Sequence, residues 1–496
     1  MSRRTVAEVR RHRVPTWWSD AKLGIFVHWT LASVPAYAPV DADMSDLLAR
    51  RDPHALASSP YAEWYQNSLS FEDSAVTAYH AAHFPGRAYN SFAAEWEAGL
   101  EHWDPEAWAR HFAATGARYV VLVTKHHEGY CLWPSEVANP HAPSLRCTRD
   151  VVGELAEAVR AEGLRFGVYY SGGLDWTFND HPIGTFSDLL VAQPRGAYPD
   201  YADAQVRELI DRYRPSVLWN DISWPGDVSQ LAELLWYYYR QVPDGVVNDR
   251  FMPWSPAWRI ATTRPARWVI DRLVARGARA DRGIVPPRPP LFDVRTPEYT
   301  SFDTIQATPW ECVRGIDHSF GYNRMSRDED FLGRGDLVWS LTDIAAKGGN
   351  LLLNVGPRGE DATIPDQQLQ RLDWLAAFTT DSGSALFGSR PWVVAEGRGG
   401  GGHEVRYTAR DHTVFAFVRR SGGLGPAPHA LTLAEVEATP RTRVSTTSGD
   451  TRAWSASRKG LVIELTGSEF ADPHTVLVLV LDEVQARPLE AADAVP

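Results

Sequence analysis

The stretch Val120-Val121-Leu122-Val123-Thr124-Lys125-His126-His127-Glu128-Gly129-Tyr130 decides the fold. Its first four residues are apolar and three of them are β-branched, which reads as a buried strand. The strand runs into a polar cluster that no core absorbs without a purpose. Three other stretches end the same way: Gly24-Ile25-Phe26-Val27-His28-Trp29, Phe166-Gly167-Val168-Tyr169-Tyr170-Ser171 and Val217-Leu218-Trp219-Asn220-Asp221. Buried strands with chemistry gathered at their C-terminal ends define a β/α barrel of the TIM type.

Helical patterns fall between these strands. Asp104-Pro105 reads as an N-cap followed by Pro at the first helical position, and Gly116 ends that helix. Leu155 and Val159 recur at i,i+4 before Gly163, and Val206, Leu209, Ile210 and Tyr213 give the stripe of a helix lying on a sheet. Further helices are expected at Val228–Gln241, Leu337–Lys347 and Gln367–Phe378, and further strands at Gly245–Arg250 and Leu351–Val355. The stretch 251–293 breaks this rhythm with a basic helical piece, Arg267–Arg279, and the run Val285-Pro286-Pro287-Arg288-Pro289-Pro290. It reads as an insertion, either a lid or dimer contact over the barrel mouth or a mobile surface excursion.

Near residue 390 the texture changes. Gly397–Gly402 reads as a spacer, followed by short alternating strands at Glu404–Thr408, Thr413–Val418, Leu461–Leu465 and Val476–Leu481. The expected organisation is a catalytic barrel over 1–389, then an antiparallel β-sandwich over 390–496 with a disordered tail at Glu490–Pro496.

The 496 residues are 44% hydrophobic and 23% charged, the balance of an ordinary globular protein. A formal net charge of −12 argues against nucleic acid and anionic membranes as partners. The 20 Trp either line a sugar pocket or fill the core. The three cysteines, Cys131, Cys147 and Cys312, form neither a disulfide framework nor a metal spacing. With no apolar leader and no run long enough to span a bilayer, a cytoplasmic location is expected.

Two features carry chemistry. His126-His127-Glu128 reads either as metal ligands or as imidazoles hydrogen-bonding a polyhydroxylated ligand; neighbours on a strand face opposite ways, which disfavours chelation of one ion. No metal and no cofactor is therefore expected. Asp221 ends an apolar strand six residues before Asp227, where the next helix starts, so helix capping explains it poorly and catalysis explains it well. Arg250 ends the following strand, placed to hold a carboxylate ionised. A glycosidase needs a second carboxyl group, for which Glu63, Glu298 and Glu311 are candidates that spacing alone does not separate.

Several stretches in order resemble glycoside hydrolase family 29, the α-L-fucosidases. They are Trp18–Pro35, Glu63-Trp64-Tyr65-Gln66-Asn67, Thr124–Trp133, Leu218–Pro225, Val247–Arg250, Arg314–Asn323 and Lys347–Pro357. The resemblance covers roughly residues 15–390. It implies a retaining exo-α-L-fucosidase on a barrel followed by a β-sandwich, working by double displacement through a fucosyl-Asp intermediate, with Asp221 as nucleophile. Thr296-Pro297-Glu298-Tyr299 matches the stretch that carries the acid/base, so Glu298 is chosen with Glu311 in reserve. The 47 residues between Arg250 and Glu298 exceed the gap found in relatives. The resemblance also assigns His28, Glu63, Trp64, His126, His127, Tyr169, Trp219, Arg250 and Phe320 to sugar binding. The expected partner is a fucosylated oligosaccharide or glycoconjugate, with assembly of identical chains left open.

Overall fold

Alternation along seven parallel strands sorts the side chains into a barrel interior and a helix-facing exterior. The strands are β1 (Leu23–Val27), β2 (Tyr119–Lys125), β3 (Arg165–Tyr170), β4 (Val217–Asn220), β5 (Val246–Val247), β6 (Trp310–Gly315) and β7 (Gly349–Val355), in the spatial order β5-β4-β3-β2-β1-β7-β6. The structure, a computed structural model, describes residues 3–50, 52–277, 283–400, 402–420 and 429–487. Phe26, Tyr119, Val121, Val123, Tyr169, Trp219, Val313 and Leu352 pack inside, while Ile25, Val120, Leu122, Phe166, Val168, Leu351 and Leu353 pack outward with the helices. Gly24 has a structural reason: a Cβ there would sit 2.4 Å from the Tyr119 ring.

The curled sheet is joined into a ring by a segment absent from the sequence reading. Asn248 bridges Val294, Arg295 bridges Trp310 and Glu298 bridges Val313, all in parallel sense. This eighth stave is irregular because Pro297 has no N–H to donate, and the Thr296 N–H turns instead to Asp249 Oδ1 at 3.0 Å. The strand expected over Gly245–Arg250 is correspondingly shortened to β5.

The insertion lies between β5 and this stave. Its second helix, Arg264–Gly277, packs against the helix Met44–Arg50, and its first, Trp258–Ala261, against the second; residues 278 and 279 of the expected helix lie outside the described residues. Arg267 pairs with Asp188, and Asp271 accepts hydrogen bonds from the Ser187 N–H and Oγ at 3.0 and 2.8 Å. The described part of the insertion is therefore docked, not a free excursion.

Beyond the helix Asp366–Leu386, eight antiparallel strands form one continuous sheet that folds over on itself. They are β8 (Arg390–Gly399), β9 (His403–Arg410), β10 (Thr413–Arg420), β11 (Ala430–Leu433), β12 (Val436–Thr446), β13 (Trp454–Ser457), β14 (Gly460–Glu464) and β15 (Val476–Ala486), in the order β12-β15-β10-β9-β8-β11-β14-β13. The first three glycine-run residues expected as a spacer, 397–399, instead end β8, with Gly399 opposite His403 of β9; residue 401 of the run lies outside the described residues. The expected tail at Glu490–Pro496 lies outside the described residues. An ionic cluster fastens the sheet to the barrel: Asp343 meets Lys347 at 2.9 Å and Arg406, and Lys347 meets Glu396 at 2.7 Å.

Beneath the mouth, the Lys125 ammonium lies 2.7 Å from Asp175 Oδ2, both fully buried, with the Tyr170 ring 4.6 Å away. Removing one partner strands a buried charge. Lys125→Met should cost about 3–5 kcal/mol, read as a lowered urea midpoint, and adding Asp175→Asn should recover most of it.

Candidate active site

The strand ends deliver their polar residues to one cleft of about 680 Å³, its open mouth included. Of the residues singled out from the sequence for catalysis or sugar binding, all but His127 and the reserve Glu311 line it, namely His28, Glu63, Trp64, His126, Tyr169, Trp219, Asp221, Arg250, Glu298 and Phe320. Tyr169 points inward and donates its hydroxyl to Asp221 Oδ2 at 2.7 Å, with Trp219 stacked on its ring. Its neighbour Tyr170 faces outward to Gln205.

Arg250 joins the two carboxylates. Its Nη1 lies 3.4 Å from Asp221 Oδ1 and its Nη2 lies 2.6 Å from Glu298 Oε1. Nη2 also donates to the Thr296 carbonyl at 3.1 Å and Nε to Thr296 Oγ1 at 3.2 Å, so the guanidinium cannot rotate without losing several bonds. Burial raises the pKa of Glu298, the Asp221 charge raises it further, and Arg250 opposes both. The neighbouring helix is capped by Asp227, which accepts from the Ser229 and Gln230 N–H groups. Asp221 is free of that duty.

β2 stops at Lys125, so strand alternation does not separate the two histidines, and their ring centroids lie 3.9 Å apart. His127 stands behind the lining, with Nδ1 2.6 Å from Ser171 Oγ and Nε2 3.8 Å from Asp221 Oδ2. His28 Nδ1 meets Asn354 Oδ1 at 2.5 Å. Burial drives the pKa of both His28 and His127 well below the usual imidazole value, aided by the nearby His126. Neutral rings of this kind offer one donor and one acceptor each, the pattern that hydroxyl groups match. Among the described residues no group of three or more His, Cys, Asp or Glu is arranged to hold a metal ion.

Glu63 Oε2 accepts from the Gly321 N–H at 2.8 Å, and burial lifts its pKa to about 7. Glu311 lies elsewhere. It is the second residue of β6, in the lower layer of the barrel, where Tyr119 donates its hydroxyl to it; burial pushes its pKa to about 8. It does not line the cleft.

Sequence reading missed the apolar collar of Met44, Leu56, Phe186, Leu189, Ile222 and Ile284. These come from separate parts of the chain, the helix Met44–Arg50, the loop at Leu56, the 186–189 segment and the insertion, with no common motif; Ile222 alone lies inside a recognised one, Leu218–Pro225.

Comparison with known proteins points to one family. The family model for alpha-L-fucosidase matches residues 2–384. The chain is 28% identical to a tissue alpha-L-fucosidase of Rattus norvegicus over 412 residues, 81% of this chain and 76% of the relative. It is also 28% identical to an alpha-L-fucosidase of Branchiostoma floridae over 470 residues, 92% and 88% of the two chains. Among solved structures, the alpha-fucosidase of Thermotoga maritima in complex with a mechanism-based inhibitor matches with TM-score 0.78 and 35% identity, covering 96% of this chain and 99% of that one. An alpha-L-fucosynthase of the same organism, in complex with alpha-L-Fuc-(1-2)-beta-L-Fuc-N3, matches with TM-score 0.80 and 35% identity, covering 96% and 98%. The fold and cleft are those of a barrel glycoside hydrolase. The chain belongs to the alpha-L-fucosidase family, glycoside hydrolase family 29.

The buried carboxyl of Glu311 sets a pH dependence. Its folded pKa, about 8, exceeds the ordinary value of 4.5, so its contribution to stability is full below 4.5 and is lost as pH rises through 8. The melting temperature of Glu311→Gln, measured across that window, should therefore fall furthest below wild type at the acid end and approach it at the alkaline end.

Proposed function

We propose that this α-L-fucosidase removes terminal α-L-fucose with retention of configuration, by double displacement. The observation that carries the reading is the pair of carboxyl groups held on two nitrogens of one guanidinium at the cleft. Asp221 pairs with Arg250 and accepts a hydrogen bond from the Tyr169 hydroxyl. Burial favours a protonated Glu298. A nucleophile and a general acid need opposed states, the one carboxyl ionised and the other protonated.

In the first step an Asp221 oxygen bonds to the anomeric carbon as the glycosidic C–O bond breaks. Glu298 gives its proton to the departing oxygen. In the second step Glu298, now ionised, takes a proton from water, whose oxygen attacks the anomeric carbon and releases Asp221. Two inversions give net retention. His28, His126 and Glu63 are assigned to the fucose hydroxyls, Trp64 and Trp219 to the ring, and Phe320 to the C6 methyl, with His127 behind Asp221. A relative bound by a mechanism-based inhibitor and a fucosynthase bound to a difucoside azide support this chemistry.

We take residues 1–389 as the catalytic unit and 390–496 as its prop, a division supported by the Asp343–Arg406–Lys347–Glu396 cluster. The substrate is a fucosylated oligosaccharide or glycoconjugate. No helix among the described residues is long and apolar enough to cross a membrane. The three buried free thiols support a reducing, cytoplasmic setting.

Asp221→Gly should lower turnover of 4-nitrophenyl α-L-fucoside by about four orders of magnitude without altering the circular dichroism. A variant with most of its activity would remove Asp221 from the mechanism. Glu298→Gln should lose about 10²–10⁴-fold on a fucosyl disaccharide and far less on the nitrophenyl substrate, whose leaving group departs without a proton. Proton NMR of the first-formed sugar should show the α anomer; β-fucose would exclude retention.

A further inference from the structure

A second cavity, of about 590 Å³, adjoins the cleft. Met44, Tyr61 and Ile284 line both. Beyond them the second cavity is lined by Asp43, Arg314 and His318. Its position relative to the proposed proton donor follows from backbone pairing. The Ile284 N–H donates to the Glu298 carbonyl at 3.1 Å, and the Glu298 N–H donates to the Ile284 carbonyl at 2.8 Å. The next residue, Tyr299, lines the same cavity. The approach is so close that a Cβ on Gly283 would fall 1.8 Å from the Glu298 carbonyl oxygen, so only glycine fits there. The return limb of the insertion is thus one wall of this cavity and also a splint on Glu298.

We infer that the second cavity is the leaving-group subsite, built by the insertion, and that it takes the hydroxylated sugar ring on the far side of the fucosidic bond. This rests on the reading of Glu298 as general acid. A proton donor faces the glycosidic oxygen, so the departing ring lies on its side of the cleft, next to Ile284 and Tyr299. The lining suits a pyranose, with apolar Met44 and Ile284 for a ring face and Asp43, Arg314 and His318 for hydroxyl groups. Arg314 is available for such a contact. Among the described residues no carboxylate lies within ion-pair distance of it. Its Nε makes a long bond of 3.4 Å to the Gly315 carbonyl, and its guanidinium carbon lies 5.6 Å from the Tyr299 ring centroid. Arg314 is a specificity-determining residue for the leaving sugar, and Ile284 shapes the passage to it.

The test compares kcat/KM for fucosyl-galactose and fucosyl-N-acetylglucosamine disaccharides with that for 4-nitrophenyl α-L-fucoside, in wild type, Arg314→Ala and Arg314→Lys. The disaccharide-to-aryl ratio should fall about tenfold or more in Arg314→Ala, the loss of one charge-assisted contact to the leaving sugar. Arg314→Lys, which keeps the charge, should restore part of it. A ratio unchanged in Arg314→Ala, with wild type active on both classes, would overturn the subsite and leave the hydrolytic reading standing. Wild-type protein inert on every fucoside would overturn that reading and this inference with it. An Arg314→Ala variant that fails to fold is replaced by Ile284→Ala, where the same ratio should change and constancy would again overturn the subsite.

Discussion

The guanidinium of Arg250 is the constraint on which the cleft depends. It leaves the end of β5, reaches the carboxylate that follows β4, and grips both Thr296 and Glu298 on the eighth stave. Hydrogen bonds to charged groups are individually worth about 1.5–3 kcal/mol, but burying the charges costs as much or more. The network is therefore better understood as fixing geometry than as holding the barrel together. The apolar interior and the helix-facing layer do that work. What Arg250 adds is the relation between two side chains from separate strands. Substrate chemistry requires that relation and hydrophobic packing does not specify it.

Backbone strain sits beside each of these carboxylates. Ile222 follows Asp221 with φ of 66°, and Tyr299 follows Glu298 with φ of 53°. Neither residue type favours that region, and each such conformation costs about 1–3 kcal/mol. The surroundings dictate both. The Ile222 N–H donates to Asp221 Oδ1 at 2.8 Å, and the Tyr299 N–H donates to the Val313 carbonyl at 3.0 Å. In each case the chain turns away immediately after delivering a carboxylate to the cleft.

Much of the fold was legible because periodicity reports burial. The helix Val228–Gln241 matches its expected bounds and β2 contains the apolar run Val120–Val123, since an apolar strand and an amphipathic stripe each carry their own signal. The eighth stave carried none. It is held by Asp249 and Pro297 geometry rather than by alternating side chains, and its partners lie across the insertion. The cleft was legible where residues sat at strand ends or in family motifs. Met44, Leu56, Phe186, Leu189 and Ile284 were not, because their convergence is set by loop docking through Arg267, Asp188 and Asp271. The choice between Glu298 and Glu311 was also beyond spacing. It turns on layer, one residue reaching the mouth and the other buried beneath it.

Burial, more than ion pairing, sets the protonation of the cleft. It is the largest cause of the raised pKa at Glu63 and Glu298, and of the lowered pKa at His28 and His127. A property that comes from burial depends on whatever excludes water. At Glu298 the exclusion is shared by the barrel and by the insertion, whose Ile284 both pairs with its backbone and lines the cleft above it. Loosening the insertion would therefore shift Glu298 in position and hydrate it at once. Hydration would relieve the desolvation that raises the Glu298 pKa, leaving Arg250, which lowers it, less opposed. The docked insertion and the burial of Glu298 are in this sense one feature of the fold.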